Sequence, residues 1–512
     1  MCFESNNLIH ASIMDEIGKS LFHGKLGIEK ESIRFNYKGI SLVPHYKILG
    51  NALYNRYITT DFSDSQLELI TPPLKSLKEN ISFLGNLHSY VIKNMGDELM
   101  WPFSMPFFYR SDNEIPIAYY GYSNEAEFKH IYRRGLSNRY GSIMQTISGV
   151  HINYSLSADT IKILSDSVAK RRGNQVQSII YFRMLRNVHR YSWLISYLFG
   201  SSPIVSKNFV TKKYDFIKLD ENYFYLPNAT SLRMSDLGYQ NTNQSSINIS
   251  LNNINDYADA LKKATEKKSK KFEAIRNPAD GKIQQLNESF LQIEDEYYSP
   301  ARPKNSNLSS QRLSSKLKEL GTDYLELRNF DLNPFSSIGI NEKDLEFINL
   351  FLIFCGFYES DEMTSSDISE ARSNQLLVTI EGRKPNLKLI RKGDFIQMTE
   401  WANQILNEMV KILDLSKNDS VMMKKYFDLI SDPEKTRSSR ILDAVIHHKD
   451  GYFDFGTQLA LENKRKYLEN ANDKNPLQQL LDDEKLQANV KSEESLTDSI
   501  GLDDYLKSFY SS

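Results

Sequence analysis

A chain of 512 residues with 40% hydrophobic and 25% charged side chains is ordinary for a globular protein that buries a large core. Its length allows two to four domains, or one large domain with insertions. The 63 basic residues against 65 acidic ones leave a net charge of -2, which offers no overall attraction for nucleic acid or an anionic membrane. Two cysteines, Cys2 and Cys355, exclude a disulfide framework and a zinc motif; Cys355 follows the apolar run Phe351-Leu352-Ile353-Phe354 and reads as a buried thiol.

Met1 to His10 lacks a basic segment followed by an apolar run, and no stretch approaches the length of a membrane span, so a cytoplasmic location is expected. Residues 5 to 23 carry Leu8, Ile9, Ile13, Ile17 and Leu21 at helical spacing and predict a short amphipathic helix. It leads into Gly27-Ile28-Glu29-Lys30-Glu31-Ser32-Ile33-Arg34, whose alternation predicts a strand with Glu29 and Glu31 on one face. Two adjacent carboxylates resist ionising together unless a cation sits between them, so the pair suits a hard metal; it would serve equally on a solvated sheet face.

Tyr57 to Asp61 and Gln66 to Thr71 read as further strands, the second closed by Pro72-Pro73. Ser76 to Met100 predicts a helix with Leu84, Leu87, Tyr90, Val91 and Met95 as its apolar stripe, followed by a rigid loop at Trp101-Pro102-Phe103-Ser104-Met105-Pro106. Tyr132, Arg133, Arg134 and Arg139 cluster around Gly135. They precede a strand read from Gln145 to Leu156, with His151, Asn153 and Ser155 on one face and Val150, Ile152, Tyr154 and Leu156 on the other. By itself His151 reads as a structural histidine rather than a ligand, and its place on the polar face of this strand improves the case for a ligand.

Tyr181 to Phe199 reads as a core helix. The lysines of 256 to 272 read as a solvated helix face, since no aromatic residues interleave them. Two more strands are expected: Leu291 to Tyr298, with Gln292, Glu294, Glu296 and Tyr298 on one face, and Asp323 to Arg328, with Tyr324, Glu326 and Arg328 on one face. Beyond Asn341 the chain reads as helical, and from about Asn475 as an acidic surface helix or partly disordered tail. The expected division is a catalytic antiparallel-sheet region with helical insertions over 1–340, a helical layer packed on it over 341–474, and an acidic tail over 475–512.

Polar strand faces bearing Glu29, Glu31, Asp61, Glu68, His151, Glu294 or Glu296, Glu326 and Arg328 would together wrap a concave site, and that many inward acids need divalent cations. Hard oxygen donors favour magnesium or manganese over zinc, and Arg328 beside a metal acid suits a transferring phosphoryl group. No Walker loop, no G-x-G-x-x-G after a strand and no G-x-S-x-G elbow is present.

Several strings resemble bacterial glutamate–cysteine ligases of the proteobacterial type. They are Gly27-Ile28-Glu29-Lys30-Glu31, Thr59-Thr60-Asp61-Phe62 running to Glu68-Leu69-Ile70-Thr71-Pro72, Asn94-Met95-Gly96-Asp97-Glu98, Trp101-Pro102, Asn138-Arg139-Tyr140-Gly141, Met144 to His151, Ala229-Thr230-Ser231-Leu232-Arg233 with Asp236-Leu237-Gly238-Tyr239, and Asp331-Leu332-Asn333-Pro334-Phe335. The resemblance runs from about Gly27 to about Arg440 and is loose across 157 to 180, 206 to 225 and 303 to 318. It implies an α+β fold similar to the glutamine synthetase catalytic domain, a curved antiparallel sheet with surrounding helices and a helical C-terminal layer. It also implies ATP-dependent joining of glutamate and cysteine through a γ-glutamyl phosphate, as the first step toward glutathione. By position, Glu29, Glu31, Asp61, Glu68, His151 and Glu326 match the family's magnesium set, with Glu29 and Glu326 also catalytic, and Arg328 matches its phosphate-facing arginine. Tyr132, Arg133, Arg233, Tyr239 and Tyr298 match its amino-acid pocket, although packing alone would also explain the tyrosines. The partners implied are glutamate, cysteine and ATP, with glutathione as feedback inhibitor and no nucleic acid or membrane; a monomer fits.

Overall fold

Alternating side chains over Lys25–Asn36 build β1, the central strand of the protein. Leu26 and Ile28 point into the main core, while Ile33 and Phe35 point into a second apolar cluster on the opposite side. The computed structural model describes residues 18–166, 174–238, 247–275, 281–307, 312–448, 451–469, 475–495 and 500–511. After β1 come β2 (Gly39–Ile40), β3 (Ile58–Thr60), β4 (Gln66–Ile70), β5 (Leu99–Met100), β6 (Val150–Ser155), β7 (Ile204–Ser206), β8 (Ile217–Lys218), β9 (Tyr223–Tyr225), β10 (Ala301–Lys304), β11 (Tyr324–Phe330), β12 (Lys388–Arg391) and β13 (Asp394–Gln397).

Eight of these form one antiparallel sheet in the order β10-β11-β6-β1-β4-β3, with β2 and β5 also paired to β1. Residues such as Ile28, Leu67, Leu69, Ile152, Tyr154, Leu325 and Leu327 give the sheet an apolar back. Helices Leu77–Asn94, Asn174–Phe199, Glu342–Phe357 and Ser365–Glu381 pack into the same core. The arrangement is the expected α+β fold on an antiparallel sheet. Among the described residues no helix is long and apolar enough to cross a membrane.

Several boundaries differ from the sequence reading. The first expected helix falls mostly on residues outside the described set; its end, Gly18–Phe22, is a short 3-10 turn. The helix read over Ser76–Met100 spans Leu77–Asn94: the Ser76 hydroxyl caps it by accepting from Glu79 N, the chain turns at Gly96 with φ 57, and Leu99–Met100 join β1. Only the second half of Gln145–Leu156 is strand, because Ser142–Gln145 closes as a helical turn. The helical C-terminal part also contains the β12–β13 hairpin.

The stretch Leu291–Tyr298 is not a strand. Glu294–Glu296 forms a 3-10 turn, with Glu294 taken by Arg312 and Ser314 and Glu296 by Tyr140 and Gln292. Of the two forms expected for the acidic C-terminal segment, the described residues take the helical one, Gln478–Glu494 and Leu502–Ser511. These helices are tied down by Glu484 to Arg56, by Asp482 accepting from Tyr90 Oη at 2.9 Å, and by Tyr510 Oη donating to Gln292 O at 2.7 Å.

Candidate active site

Register on β1 brings the acids together. Glu29 sits opposite His151 on β6, and Glu31 sits opposite Glu68 on β4. On the far side of β6, Glu326 of β11 pairs with Asn153. His151 Nδ1 lies 3.4 Å from Glu29 Oε2 and 3.7 Å from Glu326 Oε1, and its Nε2 lies 3.6 Å from Glu31 Oε1. Glu29, His151 and Glu326 each offer a donor atom within 4.8 Å of the others. Period-two geometry thus turns three neighbouring strands into one ligand face.

Each acid is held from outside the cluster. Asn153 Nδ2 donates to Glu29 Oε1 at 2.7 Å, and Gly149 N–H donates to Glu31 Oε2 at 2.7 Å. Glu326 forms a close ion pair with Arg328 on its own strand and lies 3.6 Å from Lys304 Nζ. Burial raises the Glu326 carboxyl, but Arg328, Lys304, Arg302 and His151 outweigh it and hold the group well below its ordinary value. Burial pushes Glu68 well above its ordinary value, and Glu29, Asp61 and Glu31 push it the same way; burial also raises Glu31. One side of the cluster is ready to be an anion and the other resists it, as carboxylates awaiting a cation do.

Beside the acids is a cavity of about 220 Å3 whose wall includes Glu31, Asp61, Tyr132, Arg133, Tyr298 and Arg328. Arg133 Nε donates to Asp61 O at 2.5 Å, and its guanidinium lies 4.8 Å from the Tyr120 ring centre. Arg233, 1% exposed, runs beneath: Nη2 donates to Arg328 O at 2.9 Å, and Nη1 is 3.8 Å from Asp331 Oδ1. Asp331 is fixed in turn by Ser201 N, Ser202 Oγ and Ser231 Oγ at 2.8, 2.6 and 2.9 Å. The guanidinium passes so close to the main chain before β6 that a Cβ on Gly149 would sit 2.0 Å from Nη2, so only glycine fits there.

The family model described as glutamate-cysteine ligase matches residues 12–378. The chain belongs to the glutamate–cysteine ligase family. It is 37% identical to the glutamate–cysteine ligase of Alcanivorax borkumensis over 90% of both chains, and 37% identical to that of Aliivibrio fischeri over 95% of both. Among solved structures, the glutamate–cysteine ligase of Francisella tularensis in complex with AMP superposes with a TM-score of 0.89 at 32% identity, covering 96% of this chain and 98% of that one. A bifunctional glutathione synthetase from Pasteurella multocida gives 0.74 at 26% identity, covering 90% of this chain and 55% of the longer protein.

Within this ligase the structure gathers Glu29, Glu31, Asp61, Glu68, His151, Glu326 and Arg328 around the sheet face, with Tyr132, Arg133 and Tyr298 lining the adjoining cavity. Tyr239 lies outside the described residues. Glu294 is not among the clustered acids: it accepts from Arg312 Nε at 3.0 Å and from Ser314 N and Oγ at 2.6 Å. Glu296 reaches the cavity wall, but its oxygens take the Tyr140 hydroxyl at 2.7 Å and Gln292 N at 2.6 Å. The sequence reading missed Arg302 and Lys304, whose edge strand is only four residues long and carries Pro303. Their alternation around that proline, facing Glu326 across the β10–β11 register, was the signal that could have found them.

Proposed function

We infer that this ligase joins the γ-carboxylate of L-glutamate to the amine of L-cysteine, with ATP converted to ADP and phosphate, to give γ-glutamylcysteine in the first step of glutathione biosynthesis. The reading is carried by one observation: Glu29, Glu31, His151 and Glu326 meet on three adjacent strands with Arg328 set against them. Family membership supplies the substrates. The AMP held by the Francisella relative supports use of an adenine nucleotide.

Carboxylate oxygens with a single imidazole suit magnesium, or manganese in its place, and the raised proton affinity of Glu31 and Glu68 fits a face built to receive cations. Glu29, Glu31, Asp61, Glu68, His151 and Glu326 would hold them. Bound there, a divalent cation would offset charge on phosphate oxygens during transfer.

The rest of the chemistry falls to the chain. Arg328, held in place through Glu326, presents its guanidinium to the γ-phosphoryl group as the glutamate carboxylate attacks phosphorus and ADP departs. Arg133 and Arg233 take carboxylates of the amino acids, and Tyr132, Tyr239 and Tyr298 wall the space for the acceptor. The cysteine amine then attacks the acyl carbon and phosphate leaves. Pocket size alone discriminates weakly, about 1–3 kcal/mol per methylene, so other small amines should react slowly. The enzyme is read as cytoplasmic; a monomer fits the reading, and family membership makes glutathione a candidate inhibitor to add to the assay.

The test is ATP hydrolysis coupled to product mass, with glutamate and magnesium present and cysteine added or withheld. γ-Glutamylcysteine formed only with cysteine supports the reading. A different γ-glutamyl product overturns the acceptor, and no product under any amine overturns the activity.

A further inference from the structure

The cavity beside the acids has two walls of different origin. Tyr132, Leu136 and Tyr140 come from the helix Asn124–Tyr140, whereas Ile293, Glu296 and Tyr298 come from the 3-10 turn and the residues flanking it. Gln292, 0% exposed, lies behind both and bonds to each. Its Nε2 donates to Tyr132 O at 3.1 Å, and its main-chain N–H donates to Glu296 Oε2 at 2.6 Å. The other oxygen of Glu296 returns to the helix by accepting from the Tyr140 hydroxyl.

Gln292 is itself held in place. Its Oε1 accepts from Leu286 N at 3.0 Å, and its carbonyl accepts from Asn287 Nδ2 at 2.8 Å and Tyr510 Oη at 2.7 Å. Tyr510 reaches in from the C-terminal helix Leu502–Ser511, whose Phe509 ring centre is 4.6 Å from that of Phe128, one turn before Tyr132. The amide meets the helix at Gly135, where a Cβ would stand 2.0 Å from Oε1, 2.6 Å from Cδ and 2.7 Å from Nε2. A side chain needed only to fill this space would be apolar; a buried amide with both ends bonded fixes the groups it joins in one arrangement.

We propose that Gln292 is a positioning residue for the acceptor amino acid. Without touching substrate, it sets the spacing between the wall carrying Tyr132 and the wall carrying Glu296. The proposal rests on the reading of this cavity as the amino-acid site of the ligase.

Steady-state kinetics of the full chain test this, with thermal melts alongside. Gln292→Met keeps the length of the side chain and removes its amide; Gly135→Ala leaves the amide and pushes it away. Each should raise the KM for cysteine about tenfold while kcat and the KM for ATP stay within about twofold, because a reshaped wall weakens acceptor binding and leaves the acids and Arg328 alone. A residue that only fills space would lower Tm and leave the cysteine KM where it was. A cysteine KM within about twofold of the native value in either folded variant, or a loss confined to kcat, overturns the proposal. Gly135→Ala decides the matter if Gln292→Met fails to fold. The native chain in the same assay separates the two readings: no γ-glutamylcysteine overturns the ligase reading and this one with it, whereas product with an unmoved cysteine KM in the variants overturns this one alone.

Discussion

Gly149→Ala should disable the enzyme without altering any of the proposed metal-ligating side chains. The new methyl would stand 2.0 Å from Arg233 Nη2, 2.3 Å from Cζ and 2.7 Å from Nε, whereas non-bonded carbon contacts settle near 3.5 Å. The guanidinium must therefore retreat by about 1.5 Å, which breaks its 2.9 Å bond to Arg328 O and moves it against Asp331. A displacement of about 1 Å at a positioned group costs about a hundredfold in rate, and overpacking costs about 1–3 kcal/mol of stability. The assay is kcat/KM for glutamate and cysteine by phosphate release, with a urea melt alongside. Adding Gly149→Ala to Arg233→Ala should cost much less than adding it to the native chain, because the clash partner is gone. Activity within threefold of the native enzyme, or additive losses in the double variant, would refute the argument.

Glu29→Gln should lower turnover at least about a hundredfold with an unchanged melt, since it weakens the proposed cation site while keeping its shape; normal turnover would take Glu29 out of the site. Glu294→Gln should behave in the opposite way. It loosens a buried contact with Arg312, so stability falls by about 3 kcal/mol while the magnesium dependence of the rate stays put, and a shifted magnesium requirement would sink the structural assignment. Burial, reinforced by Arg34, lowers His45 from 6.5 to about 3. The unfolded chain therefore binds the extra proton across that interval and the native state does not, so stability is full above 6.5 and falls with pH below it, by up to about 1.4 kcal/mol per unit. Denaturant melts from pH 7 to pH 5 should show a shallower fall in His45→Gln, and parallel curves would contradict this.

How far the sequence disclosed the site depended on whether a residue's role followed from period two. Glu29, Glu31, His151, Glu326 and Arg328 sit on strands long enough for alternation to show, and the same count that assigned their faces is what brings them together. Leu291–Tyr298 alternates just as well, yet Arg312 and Ser314, distant in sequence, take Glu294 into a turn; tertiary partners outbid a local pattern that carried no trace of them. Lys30 makes the complementary point. Alternation alone puts it on the face opposite Glu29 and Glu31, and a lysine in that position reads as a strand turning its back to solvent. Only the helix carrying His88, folded over that face, reveals that the back of the strand is core, where burial lowers the Lys30 ammonium to about 7 against the pull of Glu31.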